Sequence, residues 1–154
     1  MVILGIDPGI ERMGYAFLKH DGKDISLLEC GCVYTSKDDT TSVRLVELHT
    51  DLTALIKKFK PDALSVESLF FATNVKTAMT VSQARGVILM TGQEHQLRII
   101  EVTPLQVKIA TTGYGKAEKK QVQTMVQKLL KLKKIPKPDD AADACAIAFA
   151  GIGR

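Results

Sequence analysis

The chain opens with "VILGID" (2–7), apolar up to an aspartate and closed by the turn signal "DPG", which is the pattern of a buried strand. "GYAFLKH" (14–20) and "SLLECGCVYT" (26–35) read as two further strands with Gly22 at the turn between them, so three successive antiparallel strands are expected. From Thr40 the period changes. Leu45, Leu48, Leu52, Leu55 and Phe59 recur at steps of three and four, marking one face of an amphipathic helix that Pro61 ends. "ALSVES" (63–68) is a short strand bounded by "LFFATN", and a helical pattern then runs from about 75 to 95, weakened at Gly86 and Gly92. "RIIEVT" (98–103) is the fifth strand, and Pro104 suits the first position of a short helix. "TTGYGKAE" (111–118) reads as a flexible loop. Val122, Met125, Val126, Leu129 and Leu130 form the stripe of the next helix, and "KIPKP" breaks the chain before a last one. Strands four and five are each reached through a helix, which implies right-handed crossovers. The expected architecture is α/β: a mixed five-stranded sheet, three strands antiparallel and then two parallel, flanked by helices. No repeat or long linker divides the chain, so residues 1–154 are expected to form one domain.

Composition narrows the class. With 45% hydrophobic and 25% charged residues, the balance is that of a soluble globular protein, and disorder is excluded. "MVIL" lacks a basic lead and a long apolar core, so it is not a signal peptide, and no apolar run approaches the ~20 residues of a membrane span. Cys30, Cys32 and Cys145 are too few and odd in number for a disulfide framework; buried thiols in a reducing compartment are expected. His20, His49 and His95 are scattered, with no spacing that suggests a ligand pair or a nucleophile's base. Net charge is +4, unevenly spread: between Lys116 and Lys137 eight lysines meet one acid, leaving the rest of the chain at −3. Alone, such a run is most simply a solvated helix; beside an anionic-substrate site it becomes a polyanion-binding face.

The segment "KPDDAADACAIAFA" (137–150) supplies that site's first hint. Asp139 or Asp140 can cap the helix, with Asp143 completing a loose capping box. Asp140 and Asp143 are also three apart, on the same face as Ile147 and Ala150, which should pack on the sheet. Asp7 closes the first strand and Glu67 the fourth. Taken singly, the first is explained as an Asx-turn residue and the second as an exposed strand end. If those strands are neighbours, the two acids converge where the final helix begins, and capping does not account for that. Carboxylates gathered at one point repel unless divalent cations lie among them, and an oxygen-only donor set suits Mg²⁺ or Mn²⁺. Two such ions about 4 Å apart suit in-line phosphoryl displacement, and the lysines then point to a nucleic-acid backbone.

The blocks "GIDPGIERMGY", "VESLFFATN", "SQARGVIL", "TPLQVK", "GYGKAEKKQVQ" and "DDAADACAIA" together resemble the RuvC family of crossover-junction (Holliday junction) endonucleases, over essentially the whole chain. The resemblance implies a ribonuclease H-like fold and Mg²⁺-dependent paired cleavage of four-way DNA junctions in recombination and repair. The nicks would carry 5′-phosphate and 3′-hydroxyl ends. It places the family's metal-binding catalytic acids on Asp7, Glu67, Asp140 and Asp143, with two ions per site, and leaves Asp139 as a cap. Phe70, or its neighbour Phe71, matches the aromatic that stacks on junction bases. Lys108 and Lys119 match lysines near the scissile phosphate; Lys116 is a further DNA-facing candidate, and Arg85 is expected near DNA or the dimer interface. A homodimer, a branch-migration motor complex as partner and a bacterial-type cytoplasmic location are implied as well. Met79, Val87, Ile88, Leu89 and Met90 on the 75–95 helix would serve either the dimer interface or the protein's own core. The competing readings are a non-catalytic junction-binding module and a related ribonuclease H-like nuclease with another nucleic-acid substrate. A sugar-kinase or actin-like phosphotransferase shares the "GIDPG" loop but needs two such lobes.

Overall fold

The computed structural model describes residues 1–68 and 75–154, with the side chains of 75–77 also left undescribed. Three strands open the chain: β1 (Val2–Asp7), β2 (Arg12–His20) and β3 (Ile25–Tyr34). Helix α1 (Thr41–Phe59) leads to β4 (Ala63–Glu67), and α2 (Val75–Glu94) leads to β5 (Arg98–Val102). Three helices follow: α3 (Pro104–Thr112), α4 (Lys119–Leu129) and α5 (Asp139–Gly151). The sheet order is β3-β2-β1-β4-β5. β2 pairs antiparallel with both β1 and β3, whereas β1–β4 and β4–β5 are parallel. The first and fourth strands are therefore neighbours, the condition on which convergence of Asp7 and Glu67 depends.

Local chemistry explains the helix boundaries. Thr40 caps α1, its side chain accepting from the Val43 N–H. α3 begins in a reciprocal capping box: Thr103 Oγ1 accepts from the Gln106 N–H at 3.1 Å, and Gln106 Oε1 accepts from the Thr103 N–H at 2.9 Å. This helix runs to Thr112 and stops at Gly113, whose φ of 73° favours glycine. The 111–118 segment is thus helical at its start, and the loop between α3 and α4 is shorter than the glycines suggest. α5 corrects a second expectation. Its cap position is Pro138, with no side-chain cap bond. Asp139 is the first helical residue and pairs with Lys137 at 3.0 Å, and Asp143 closes no capping box. The acids of this helix do not serve as its cap.

Strand alternation sends side chains to two separate cores. Leu4, Ile6, Phe17, Leu64 and Val66 face α1 and α2, meeting Leu48, Leu52, Ile56, Ala84 and Ile88. Ile3, Ala16, Leu18, Ala63 and Val102 face the other way, toward Val122, Val126, Ala144, Cys145 and Ala148. On that second face α5 lies unusually close. A Cβ on Gly5 would collide with the main chain of Ala144 and Ala148, and one on Gly14 with the carbonyl of Asp140. Ser65, fully buried, ties the helix down by donating from Oγ to the Ile147 carbonyl at 2.8 Å.

Other expectations resolve residue by residue. Cys145 is buried, but Cys30 and Cys32 are only half-buried on β3, because β3 is an edge strand that no further strand covers. His49 bonds Thr91 at 2.9 Å across the α1–α2 contact. On α2, Ile88 belongs to the protein's own core, while Met79 and Met90 are 63% and 48% exposed. No helix among the described residues is long and apolar enough to cross a membrane.

Candidate metal centre

The same alternation that builds the cores delivers the acids. In β1, Ile3 and Gly5 face α5, so Asp7 at the strand's end does too. In β4, Ala63 and Ser65 face α5, so Glu67 follows. The parallel register pairs Ile6 with Val66, which sets Asp7 beside Glu67 at the carboxyl ends of adjacent central strands. α5 begins over this edge and brings Asp143. These three acids line a cleft of about 220 Å³ together with Lys108, Lys119, Val107, Val122 and Ile147. Asp140 lies one turn earlier on α5, outside the cleft's lining, with its carboxylate 3.6 Å from the Arg12 guanidinium.

The electrostatics record how close the acids are. Burial, then the charges of Asp143, Glu67 and Asp140, push the Asp7 carboxyl up to about 7, against a small opposing effect of Lys119. Burial and Asp143 likewise raise Glu67, partly offset by Lys108. Lys119 Nζ lies 2.7 Å from Asp143 Oδ2, and this bond raises the lysine's own pKa. Buried Gln123 donates weakly to the other Asp143 oxygen at 3.4 Å. α4 thus places a cation and an amide on the same carboxylate, helped by Gln121 Oε1 accepting from the Glu118 N–H at 2.7 Å at the helix start.

Among the described residues, no three acidic, histidine or cysteine side chains already stand close enough to share one metal ion. Their chemistry nevertheless fits a hard divalent cation: all donors are carboxylate oxygens, and their mutual repulsion is only partly neutralised by lysine. A cation among them would offset both the burial and the mutual repulsion that push the Asp7 carboxyl up to about 7.

The family model for "Crossover junction endodeoxyribonuclease RuvC" matches residues 3–151. The chain belongs to the RuvC family. It is 49% identical over 152 residues to the RuvC of Fusobacterium nucleatum, covering 99% of this chain and 80% of that protein. The Thermus thermophilus RuvC structure superposes with a TM-score of 0.90 at 35% identity, covering 97% of this chain and 92% of that one. The same enzyme in complex with a Holliday junction substrate superposes at 0.88 and 32%, with the same coverage. The sheet and helices described above are those of the family's ribonuclease H-like resolvases, and with membership in this nuclease family goes dependence on divalent metal.

The expected residues fall into groups. Asp7, Glu67 and Asp143 share the cleft with Lys108 and Lys119, whereas Asp140 is outside its lining and paired with Arg12. Lys116 is exposed on the α3–α4 loop and does not line the cleft. Most of the basic run lies away from the acids; Lys131, for example, pairs with Asp24 at 3.1 Å. Arg85 is on α2, turned onto the ends of β4 and β5. Phe70 and Phe71 lie outside the described residues. Arg12 and Gln123 join the site beyond the expected residues, on Asp140 and Asp143. Arg12 carries a signal in its place five residues after Asp7 on the next strand, whereas Gln123 looks like any polar position on a helix.

Proposed function

We propose that this chain is a structure-selective endonuclease that resolves four-way (Holliday) DNA junctions during recombination and repair. The convergence of Asp7, Glu67 and Asp143 in one cleft, with Lys119 on Asp143, carries the reading. Residues 1–154 work as one nuclease domain. Asp7, Glu67, Asp140 and Asp143 hold the divalent ions, Mg²⁺ with Mn²⁺ able to substitute, two per site. When bound, such ions lower the pKa of the attacking water and offset charge on the phosphate. The chain's own groups do the rest. The four carboxylates fix the ions against a rigid sheet edge and α5, and β4 and β1 hold Glu67 and Asp7 side by side.

Lys119 serves two states: it neutralises Asp143 in the free protein and is near enough to the cleft to turn toward the scissile phosphate when the ions take over that carboxylate. Lys108 also lines the cleft and stabilises charge on the phosphate. Lys116 lies farther out, along the path of the DNA backbone. Phe70, or its neighbour Phe71, stacks on junction bases. Hydrolysis by water leaves 5′-phosphate and 3′-hydroxyl ends that a ligase can seal.

A four-way junction has two-fold symmetry, so paired cuts need two sites related by the protein's own two-fold axis. The exposed Met79 and Met90 on α2 support a homodimer through that helix. A branch-migration motor complex is the partner that delivers junctions, and the cytoplasm is the place of action. The deciding experiment uses a synthetic four-way junction and Asp7→Asn. Symmetric nicking should disappear in Mg²⁺ while junction binding in a gel-shift assay persists. Nicking by the variant at the wild-type rate overturns the assignment.

A further inference from the structure

Glu67 is the last residue of β4, where a strand has lost part of its ladder. The β1–β4 pairing stops at Ile6 with Val66, one residue before Glu67. On the other side the β4–β5 pairing continues, with Glu67 opposite Val102 and the Ser68 N–H donating to the Val102 carbonyl at 2.8 Å. Main-chain groups of successive strand residues point to opposite neighbours. The Glu67 carbonyl is thus directed to the β1 side, beyond the point where the β1–β4 pairing stops.

Arg85 fills that gap. Its Nε donates to the Glu67 carbonyl oxygen at 3.1 Å. Its Nη2 is hydrogen-bonded and ion-paired with Glu101 Oε2 on β5. The arginine side chain is 17% exposed and the glutamate 53%. Alternation decides the geometry: Val66 and Glu101, paired in register, face α1 and α2, whereas Glu67 and Val102 face α5. The guanidinium therefore grips the main chain of Glu67 from the face opposite its carboxylate. It joins the ends of two strands directly beneath the cleft.

We infer that Arg85, held by Glu101, is the positioning residue for Glu67, keeping its carboxylate in the cleft against the repulsion of Asp143. This rests on the reading of Glu67 as a metal ligand. The guanidinium presents donors from separate nitrogens in a rigid fork that meets a carbonyl and a carboxylate at once, whereas a lysine ammonium offers its donors from a single rotatable point on a shorter side chain and does not reproduce that spacing. Loss of an outer partner of a metal ligand typically weakens metal binding 10–100-fold. Displacing a reacting group by about 1 Å costs on the order of 100-fold in rate. Neither effect requires Arg85 to touch DNA.

The experiment uses the full chain with Arg85→Gln, Arg85→Lys and Glu101→Gln. Three quantities are measured: Mn²⁺ binding to the DNA-free protein by calorimetry, junction affinity with its salt dependence, and the Mg²⁺ requirement and kcat of cleavage. Arg85→Gln should bind Mn²⁺ at least ~10-fold more weakly and need correspondingly more Mg²⁺. Its junction affinity and salt slope should stay within about twofold of wild type, because no phosphate contact is lost. Arg85→Lys should recover part of the metal affinity. Glu101→Gln, at an exposed position that tolerates substitution, should shift it in the same direction by less, and it decides the matter if Arg85→Gln fails to fold. Unchanged Mn²⁺ affinity in both glutamine variants, or a reduced salt slope in Arg85→Gln, overturns the positioning role, the latter in favour of direct DNA contact. Wild-type protein that binds no Mn²⁺ and cuts no junction removes the metal-nuclease reading itself, and this inference with it.

Discussion

On the face covered by α1 and α2, the sheet offers Leu4, Ile6, Phe17 and Leu64 to Leu48, Leu52, Ile56 and Ile88, and bulky side chains set the spacing. On the other face, Gly5 and Gly14 meet the main chain of α5 at Ala144, Ala148 and Asp140, and alanines fill what remains. The second face gives up volume for proximity: without side chains at Gly5 and Gly14, α5 comes close enough for Asp143 to share a cleft with Asp7 and Glu67. One sheet thus separates two duties, with large hydrophobic groups stabilising the fold on one side and small residues bringing α5 close on the other. Substitutions on the two faces should fail in different ways.

Gly14→Ala should have the largest combined effect on stability and cleavage, because the new methyl would meet the Asp140 carbonyl, a main-chain atom that yields only if α5 moves. Overpacking of this kind costs about 1–3 kcal/mol in stability. A shift of about 1 Å in α5 should also lower junction cleavage roughly 100-fold. Thermal unfolding and single-turnover cleavage read the two separately. A variant that keeps full cleavage would show that the close approach is incidental to the site. Leu52→Ala tests the other face. Leu52 is fully buried between α1 and the sheet, so its truncation should cost about 2–5 kcal/mol. At temperatures where the variant remains folded, its kcat should match wild type. A matching loss of cleavage there would mean that the two faces are not independent.

This division also explains what the sequence discloses. Alternation and three-to-four periodicity make "VILGID", "ALSVES" and the Leu45–Phe59 stripe legible, because burial selects side chains at a regular interval. Asp7 and Glu67 are legible for a related reason: each stands where an apolar strand ends, at a position that costs desolvation unless it is used. Less visible is what depends on helix phase and close packing. Asp140 and Asp143 share a face, yet only Asp143 enters the cleft, and the contact of Gly14 with Asp140 and the pairing with Arg12 decide that. Arg85 reads as an ordinary helical arginine. Its bond to the Glu67 carbonyl exists only because the β1–β4 pairing stops one residue before Glu67, which is a property of register and not of local sequence.

Charge on the closely packed face should make stability depend on pH. The folded protein holds the Asp7 proton up to about pH 7, whereas the unfolded chain releases it near 3.8. The folded state therefore binds more protons between those values, and this group's contribution to stability is present at low pH and lost as pH rises from about 4 to about 7. In metal-free buffer at pH 8, Asp7→Asn should be more stable than wild type, by on the order of 2 kcal/mol after allowance for solvent screening. At pH 4 the difference should shrink toward zero. Mg²⁺ should reverse the order at pH 8, because it binds the wild-type carboxylates and stabilises only the state that contains the site. Melting temperatures of both proteins from pH 4 to 8, in EDTA and in Mg²⁺, check the sign. Parallel curves in the two buffers would argue that no divalent ion relieves the repulsion.

The smallest expected effect lies at the cleft's edge, where α3 carries Lys108. Thr103→Ala removes the oxygen that accepts the Gln106 N–H and half of the reciprocal cap, which should cost about 1 kcal/mol in stability. Pro104 still fixes the first turn, so the helix should persist with a looser start rather than melt. Lys108 lies a full turn beyond the cap and lines the cleft from the middle of α3. Cleavage should therefore fall by no more than a few-fold, with junction affinity unchanged. Lys108→Ala should reduce cleavage much more at nearly wild-type stability. If the cap variant loses as much cleavage as the lysine variant, α3 is a marginal element whose order the site itself requires. The small, stable contribution assigned to the capping box would then have to be replaced by one in which the box holds Lys108 in reach of the phosphate.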